Sequence, residues 1–313
     1  MYRVQGTIAT FITLLGILAP AAVGRAADAQ QHSTAGQPRI QVLNDKGEVL
    51  AQSDAPGTDG AAKLVFDRPY QAGDRIVISG GTRLAVRLEE CLPECLIYSP
   101  AGQFEYAIPK PGPEQRAYPP KCLSGPRHVL TAGRARDEAD GTRSVPATLL
   151  EPRNVALNPY DVRGEAKSFP HATSNSECRK EGVFAARNAI DGQTKNTGHG
   201  GWPYQSWGPD VRKDLWWKVD FGRPVEIEQV AIVIRADFPH DRFWHSAKIE
   251  FSDGSSLPIE LKKDREKQVF PVPKKTVTWL RLTDLVQAVP PGWAALMEVE
   301  VLGRDVAETK AER

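Results

Sequence analysis

Two stretches in the C-terminal half of this 313-residue chain concentrate side chains that could do chemistry. Residues 186–208 read ARNAIDGQTKNTGHGGWPYQSWG, an acidic turn followed by a Gly-rich segment and three aromatic residues. Residues 235–246 read RADFPHDRFWHS and interleave aromatic residues with Arg, Asp and His. Aromatic rings stack on the C–H faces of sugars, whereas charged and planar groups bond sugar hydroxyls. Both stretches therefore indicate a surface that binds a glycan.

Individual residues differ in how well they suit this role. Trp202 and Tyr204 flank a proline in a Gly-rich loop, and the glycines before them allow a close backbone approach. Trp207 and Trp244 could instead pack in the core beneath their own loops. His171, in SFPHATSN, could approach the same end of the molecule or remain a solvated loop histidine. We predict seven ligand-binding residues: His171, Trp202, Tyr204, Arg235, Asp237, His240 and Trp244.

The same loops leave two other functions open. A polysaccharide lyase or glycoside hydrolase needs a base and an acid near one another, or two carboxylates across the scissile bond. The sequence has no nucleophile elbow, HExxH helix or phosphate-binding loop. An adhesion or scaffold module that binds a protein partner is the third interpretation. Residues of the types that acid–base catalysis uses are His171, His199, Tyr204, Asp237, His240 and Asp241.

The overall charge gives no electrostatic reason to bind nucleic acid. The chain carries 40 Lys and Arg against 39 Asp and Glu, whereas a nucleic-acid-binding surface usually shows a marked positive excess. With 41% hydrophobic residues, 26 Gly and 25 Pro, the composition instead fits a loop-rich globular protein. A glycan or polysaccharide is therefore the expected partner, with a protein partner as the alternative.

The N-terminus has the pattern of a secretory leader. Arg3 supplies a positive charge, residues 7–23 form an apolar run, and Ala27 and Ala29 have the spacing that a signal peptidase prefers. The run is short and interrupted by proline, which argues against a stable membrane span. The sequence predicts a signal peptide over residues 1–29 and an exported protein, periplasmic or secreted, without membrane insertion after cleavage.

Export makes disulfide bonds permissible. Cys91, Cys95 and Cys122 lie close together in the N-terminal half, and Cys178 lies beyond them. A zinc site would need further ligands at suitable spacing, and His128 is the only histidine near Cys122 in the sequence. We expect one disulfide among the first three cysteines, and the sequence leaves its pairing open.

Residues 39–135 have the pattern of short β-strands separated by turns. In TRLAVRLEE, Leu84, Val86 and Leu88 alternate with Ala, Arg and Glu, which is the period of a half-buried strand. Several such runs, punctuated by Gly and Pro, predict an antiparallel β-sandwich. Residues 136–152 are charged, small and Pro-containing, and we predict that they form a linker.

Residues 153–303 also consist of strand-length runs, so the predicted fold class is mostly β with two sandwich domains. Val230, Ile232 and Ile234 belong to a run that is apolar on both faces, which predicts a central strand. The one helix-like stretch is EGVFAARNAI, of about ten residues. Residues 304–313 are charged and are predicted to form a flexible tail.

The C-terminal half resembles a known family. The pieces RNVALNPY, FAARNAIDG, LWWKVDFGRPVEIEQVAI, IEFSDGS, VTWLRL and ALMEVEVLG occur in the order and spacing of the discoidin, or coagulation-factor C-type, family. This resemblance implies a galactose-binding-like jelly roll that binds ligands on loops at one end, as many carbohydrate-binding modules do. Its implied packing residues are Trp216, Val219, Phe221 and Trp279.

The resemblance also implies a structural calcium site. In this family the NAxDG turn commonly forms part of such a site, which a glutamate of the last strand closes. Asp191, Thr194 or a neighbouring carbonyl, and Glu298 would be the ligands by matching position. Calcium prefers six to eight hard oxygen ligands, and a Gly-flanked turn can point carbonyls and a carboxylate inward together. The alternative is that Asp191 caps its own turn and Glu298 is a solvated strand residue.

Overall fold

The computed structural model describes residues 36–57, 60–110, 112–134, 151–164, 166–238, 241–287 and 291–306. The predicted signal peptide, nearly all of the predicted linker, His240 and the chain beyond residue 306 lie outside the described residues. The described residues belong to one compact unit that contains two hydrophobic clusters. The predicted domain bounds stay a prediction.

Two antiparallel four-stranded sheets build the N-terminal half. Their strand orders are β2-β1-β4-β7 and β3-β8-β5-β6, with every pairing antiparallel. The strands are β1 (Arg39–Leu43), β2 (Val49–Gln52), β3 (Ala62–Phe66), β4 (Arg75–Ser79), β5 (Arg83–Arg87), β6 (Cys95–Tyr98), β7 (Gln103–Ala107) and β8 (His128–Arg134).

The alternation of apolar residues produces these strands. In β7, Phe104 and Tyr106 are buried while the residues between and beside them are exposed, because successive side chains of a strand point to opposite faces. In β3, Leu64 and Phe66 are buried in the same way. Full burial of such a side chain contributes roughly 1.5–3 kcal/mol. The predicted N-terminal β-sandwich is therefore confirmed as a fold.

The C-terminal half forms a seven-stranded antiparallel sheet, and the predicted mostly-β fold class is confirmed. Strand order is β13-β12-β14-β11-β15-β9, and β10 also pairs with β11. The strands are β9 (Arg153–Asn154), β10 (His171–Ser174), β11 (Trp217–Ile234), β12 (Trp244–Phe251), β13 (Ser256–Glu260), β14 (Gln268–Gln287) and β15 (Leu296–Asp305). Short 3-10 helices lie at Glu114–Ala117, Cys178–Lys180, Gly182–Phe184 and Ala186–Ala189.

Strand β11 is central, as its sequence predicts. It pairs with β14 on one side and with β15 on the other. Residues 230–234 are all buried, so this part of the strand is covered on both faces. Trp207, Trp217 and Trp244 lie at 0–1% exposure in the same hydrophobic cluster, which makes three indoles part of the structural core.

Two local predictions differ from the structure. EGVFAARNAI forms no α-helix, because two short 3-10 helices separated by extended Ala185 occupy it. Trp217, rather than Trp216, packs with Val219 and Phe221, since only residues two apart share a strand face. Trp279 is half-buried, and the ammonium group of Lys218 lies 5.2 Å from its ring centre.

Tyr160 and Phe169 join the two halves. Tyr160 packs in the N-terminal hydrophobic cluster, accepts the Leu88 N–H at 3.0 Å and donates to the Pro93 carbonyl at 3.1 Å. Tyr98 and Phe169 exchange two backbone hydrogen bonds of 2.9 and 2.8 Å. The contact is therefore a continuation of core and sheet rather than a loose surface contact.

A buried ion cluster closes the same interface. Asp305 accepts hydrogen bonds from Arg83 at 3.1 Å, from Arg153 at 2.9 Å and from Arg223 at 2.8 and 2.9 Å. Burial disfavours the charged carboxylate, but the charge and hydrogen bonds of Arg223 and then of Arg153 outweigh this effect and lower the pKa of Asp305. One carboxylate thus bonds arginines from both halves.

No helix in the described part of the chain has the length and apolar character that crossing a membrane requires. The four cysteines are free thiols in the structure, so the expected disulfide stays a prediction.

Candidate functional site

The two candidate loops meet at one end of the C-terminal sheet. Strand β11 ends at Ile234, and residues 193–204 run beside the chain that follows it. The Asn196 side-chain amide donates to the Ile234 carbonyl at 3.1 Å and to the Arg265 carbonyl at 2.8 Å. The Asn196 backbone carbonyl accepts the Ala236 N–H at 2.7 Å. This buried asparagine therefore fixes the separation of the two loops.

His199 and Asp237 bring the functional groups of these loops together. Nδ1 of His199 lies 3.5 Å from Oδ2 of Asp237, and their side chains are 50% and 37% exposed. Both side chains can thus reach a ligand from solvent. His240, predicted for the same cluster, lies outside the described residues.

Arg235 supports this loop from beneath. It is 6% exposed, its Nε lies 2.6 Å from Asp241 Oδ1, and its Nη2 donates to the Trp293 carbonyl at 2.7 Å. Asp241 also accepts the Asp237 N–H at 2.8 Å. A guanidinium that is buried and bonded in this way holds the loop in shape and has little surface to offer a ligand.

Trp244 also lies inside the structure. It is 1% exposed, and its ring stacks on Trp207 with 5.6 Å between ring centres and an angle of 21°. Since both indoles belong to the core cluster, neither presents a face for stacking on a sugar. Trp207 and Trp244 thus pack in the core, which was the alternative interpretation of these two residues.

His171 is buried away from the two loops. It begins β10, where its backbone pairs with Asp220. Nδ1 lies 2.7 Å from Asp161 Oδ1, and Nε2 lies 3.1 Å from the Gly164 carbonyl. Burial disfavours protonation, but the hydrogen bond and charge of Asp161 outweigh it and raise the pKa of His171. Both ring nitrogens are therefore engaged in holding the chain.

Trp202 and Tyr204 are half-buried. The Trp202 N–H donates to the Arg116 carbonyl at 2.7 Å, which attaches this loop to the N-terminal half. The Tyr204 ring lies against Gly198, where an added Cβ would come within 2.9 Å of the ring. This close approach explains why residue 198 lacks a side chain.

Trp293 is the exposed aromatic residue that the sequence predictions missed. At 62% exposure it is the most exposed large hydrophobic residue of the described chain. The Arg235 hydrogen bond places its backbone beside residues 235–243, and a Cβ at Gly292 would lie 2.6 Å from the Arg242 side chain. Its sequence context, PPGW, signals a loop rather than a strand. We call residues 193–204, 235–243 and 291–295 together the loop rim.

The half-buried Asp191 and the buried Glu298 form a pair of carboxylates beside the loop rim. Asp191 accepts the Gln193 N–H at 2.9 Å and the Gln205 side-chain amide at 2.7 Å. Glu298 is 0% exposed and accepts the Gly192 N–H at 3.1 Å. Burial raises the pKa of Asp191 to about 7. Burial and then the Asp191 charge raise the pKa of Glu298 well above its usual range.

The oxygens around this pair fit a hard cation. Oε2 of Glu298 and Oε1 of Gln205 are buried without a hydrogen-bond partner, and buried oxygens are normally bonded. Oxygen ligands are those that calcium prefers. Thr194 is exposed, and its part in such a site stays a prediction. In the described residues no cluster of three or more His, Cys, Asp or Glu side chains could hold a metal, so amide and carbonyl oxygens would have to complete the set.

A small cleft lies between these carboxylates and the N-terminal half. Its volume is about 50 Å³, and Cys91, Tyr118, Arg187, Asp191 and Trp202 contribute to its walls. A space of this size holds a few water molecules, which is too little for a monosaccharide.

The fold is mostly β, built from antiparallel sheets. Residues 171–299 match the model of the F5/8 type C domain, as the resemblance of this part of the chain to discoidin domains predicts. Among curated proteins, none matches the sequence.

Solved structures with a similar fold include three glycan-binding modules. The lectin domain of lectinolysin complexed with Lewis B antigen is 17% identical, with a TM-score of 0.39, covering 50% of this chain and 99% of that one. The family 32 CBM from C. perfringens NanJ in complex with galactose is 19% identical, with a TM-score of 0.33, covering 42% and 91%. Chitosan-binding module 1 from the chitosanase/glucanase of Paenibacillus sp. IK-5 is 20% identical, with a TM-score of 0.34, covering 47% and 97%.

Proposed function

We propose that this protein binds a glycan, without catalysis, on the outer face of the loop rim. The observation that carries this proposal is the convergence of His199, Asp237 and Trp293 on one end of a rigid sheet. Loops on a rigid scaffold commonly carry binding sites, and the F5/8 type C match agrees with such a role.

The exposed groups of the loop rim suit a saccharide. Trp293 offers an indole face for stacking on the apolar face of a sugar. Asp237 offers carboxylate oxygens that accept hydrogen bonds from hydroxyls, and His199 can donate or accept. Trp202 and Tyr204 extend this surface toward the N-terminal half. His171, Arg235 and Trp244 support the structure from inside and are not part of the proposed contact surface. His240 stays a predicted member of that surface.

We also propose that Asp191 and Glu298 hold a structural calcium ion. The ion would supply positive charge to two neighbouring carboxylates, since the charge of Asp191 raises the pKa of Glu298. Asp191 ends the 186–191 segment and Glu298 lies in β15, so the site would pin the start of the loop rim to the sheet. Thr194 or a carbonyl near it is the proposed third contributor.

Export of the protein is part of the same proposal. A glycan-binding module meets its ligand outside the cytoplasm, in agreement with the predicted signal peptide over residues 1–29. Its periplasmic or secreted location can be checked by fractionating cells that produce the full chain and sequencing the mature N-terminus.

Glycan-array binding and affinity electrophoresis in polysaccharide gels test the proposed function. Trp293→Ala and Asp237→Asn should each weaken retention at least tenfold, because a stacked ring or a charge-assisted hydrogen bond contributes about 1–3 kcal/mol. Trp279→Ala is the matched control, because it removes a half-buried indole away from the loop rim. The backbone carbonyl of Trp279 accepts the Ser252 N–H in the turn after β12.

Three outcomes separate the candidate functions. Loss of binding in both rim variants, with the control unchanged, supports the proposal. Parent protein that retains no glycan but captures a protein ligand would favour an adhesion or scaffold module. New reducing ends or unsaturated products after incubation with a bound polysaccharide would favour a hydrolase or lyase.

A further inference from the structure

Cys91 and Cys122 lie together at the edge of the N-terminal half. Cys91 is exposed in the connection between β5 and β6, and Cys122 is 2% exposed in the loop before β8. Glu89 holds the two chain segments side by side, because its carboxylate accepts the Leu123 N–H at 3.1 Å and its carbonyl accepts the Leu92 N–H at 3.2 Å. Each thiol also influences the pKa of the other. Residues 92–121 lie between them in the sequence, so the contact closes a long loop.

The backbone around Cys122 is fixed in an unusual conformation. Its neighbours Lys121 and Leu123 have φ values of 67° and 55°, in the left-handed region that residues with a side chain rarely adopt. Gln115 donates to the Cys122 carbonyl at 2.8 Å, and Glu89 accepts the Leu123 N–H at 3.1 Å. Strained conformations persist where surrounding contacts enforce them. Here the contacts hold the Cys122 thiol against Cys91.

The two thiols are chemically unequal. The hydrogen bond from Cys122 lowers the pKa of Cys91, although burial and the Glu89 carboxylate oppose this effect. The same hydrogen bond, together with burial, raises the pKa of Cys122. Cys91 is therefore the accessible thiol that ionises first, and Cys122 is positioned directly behind it.

We propose that Cys91 and Cys122 form a thiol–disulfide exchange site that closes to an intramolecular disulfide on reaction with a small-molecule disulfide such as oxidised glutathione. The Cys91 thiolate attacks one sulfur of glutathione disulfide, forms a mixed disulfide and releases one glutathione thiolate. The Cys122 sulfur then attacks Cys91, displaces the second glutathione thiolate and gives up its proton to it. The protein dithiol is oxidised by two electrons and the glutathione disulfide is reduced by two.

This bond would act on the loop rim through Arg116. Arg116 lies in the loop that the disulfide closes, and its carbonyl accepts the Trp202 N–H at 2.7 Å. Cys91 also shares the walls of the small cleft with Trp202 and Asp191. Oxidation would thus fix the part of the N-terminal half against which the Trp202 loop rests.

Cys95 and Cys178 are the matched controls. Cys95 is 2% exposed within β6, and burial raises its pKa. Cys178 lies in a 3-10 helix of the C-terminal half, where burial also raises the pKa of its thiol. Cys95 and Cys178 are not bonded to each other or to Cys91 or Cys122. Serine at either position should therefore leave the exchange intact.

Peptide mass mapping of the full chain tests the pairing without any glycan. The protein is reduced, freed of reductant, equilibrated with glutathione disulfide, alkylated and digested without reducing agent. We expect a peptide that links Cys91 to Cys122, present in Cys95→Ser and Cys178→Ser and absent from Cys91→Ser and Cys122→Ser. A linked peptide that contains Cys95, or Cys91 that stays glutathionylated with Cys122 free, would overturn the proposal.

Thermal unfolding gives a second readout. Closing a loop of about 30 residues should raise the melting temperature of the oxidised parent by roughly 5–10 °C. Cys91→Ser leaves the buried thiol in place, so it should fold like the reduced parent and show no response to oxidant. An equal response in Cys91→Ser and parent would show that the stabilisation comes from elsewhere.

Discussion

Replacing Glu298 by glutamine should change the free energy of unfolding in opposite directions with and without calcium. The rise in the pKa of Asp191 from 3.8 to about 7 corresponds to about 4 kcal/mol for keeping this buried carboxylate ionised in the calcium-free protein above neutral pH. The charge of Asp191 in turn raises the pKa of the buried Glu298. The glutamine amide oxygen can still accept the Gly192 N–H, but it carries no charge.

The sign of the pH effect follows from these raised values. The folded protein takes up protons more readily than the unfolded protein at this site. The contribution of Asp191 to calcium-free stability is therefore full below about pH 4 and is lost as the pH rises through about 7. We therefore expect Glu298→Gln to stabilise the calcium-free protein in mildly alkaline buffer by about 1–3 kcal/mol. Calcium reverses the comparison, since the parent gains about 4 kcal/mol at a thousandfold excess over Kd and the variant gains much less.

Urea unfolding in EDTA and in millimolar calcium chloride measures both effects. Glu300→Gln is the control, because Glu300 lies two residues further along β15 and pairs with Lys267 at the surface. It should respond to calcium like the parent. If Glu298→Gln is less stable than the parent in EDTA, or gains as much from calcium, the paired-carboxylate explanation is refuted.

Three further variants test the structural roles of buried groups. Asp305→Asn should lower the free energy of unfolding by about 3 kcal/mol in urea titrations near neutral pH. Because the pKa of Asp305 is depressed in the folded protein, its contribution to stability is present above about pH 4 and declines below that pH. This decline should occur in the parent and not in the variant. His171→Gln should remove a stabilisation that the parent shows fully below about pH 6.5 and loses as the pH rises through the raised pKa; pH-dependent thermal melts that are parallel in the two proteins would contradict the role of Asp161. Trp244→Ala should cost about 3–5 kcal/mol in urea titrations by opening a cavity against Trp207, while folded protein keeps its glycan affinity.

The strands could be predicted from sequence because their cause is local. Alternation in β7 and the doubly apolar run in β11 follow from the period of two, and both recur in the structure. The packing of Trp217 instead of Trp216 also follows from that period, once Val219 and Phe221 are placed on one face. The helix expected over EGVFAARNAI fails for a tertiary reason, since Asn188 bonds the Gly182 and Ser206 carbonyls and the chain turns to make those contacts.

The candidate site was less predictable because its residues have similar types and different surroundings. Arg235 and Asp237 are two positions apart in one polar loop, yet Arg235 is buried in an ion pair with Asp241 and Asp237 is open to solvent. Nothing in composition separates them. Trp244 and Trp293 differ likewise: the first begins a strand that covers the core, and the second lies in a loop on the outside. Which indole is exposed depends on the fold as a whole.

The Asp305 cluster has a consequence for work with isolated pieces of this protein. Because β15 carries the carboxylate that pairs with Arg83, Arg153 and Arg223, a recombinant fragment that ends at residue 303 would leave Arg153 and Arg223 without this counter-ion. It would also uncover the ring of Tyr160, which otherwise sits in the other half's core. The C-terminal half is therefore unsuited to expression as an isolated domain, and fusions should include the N-terminal half.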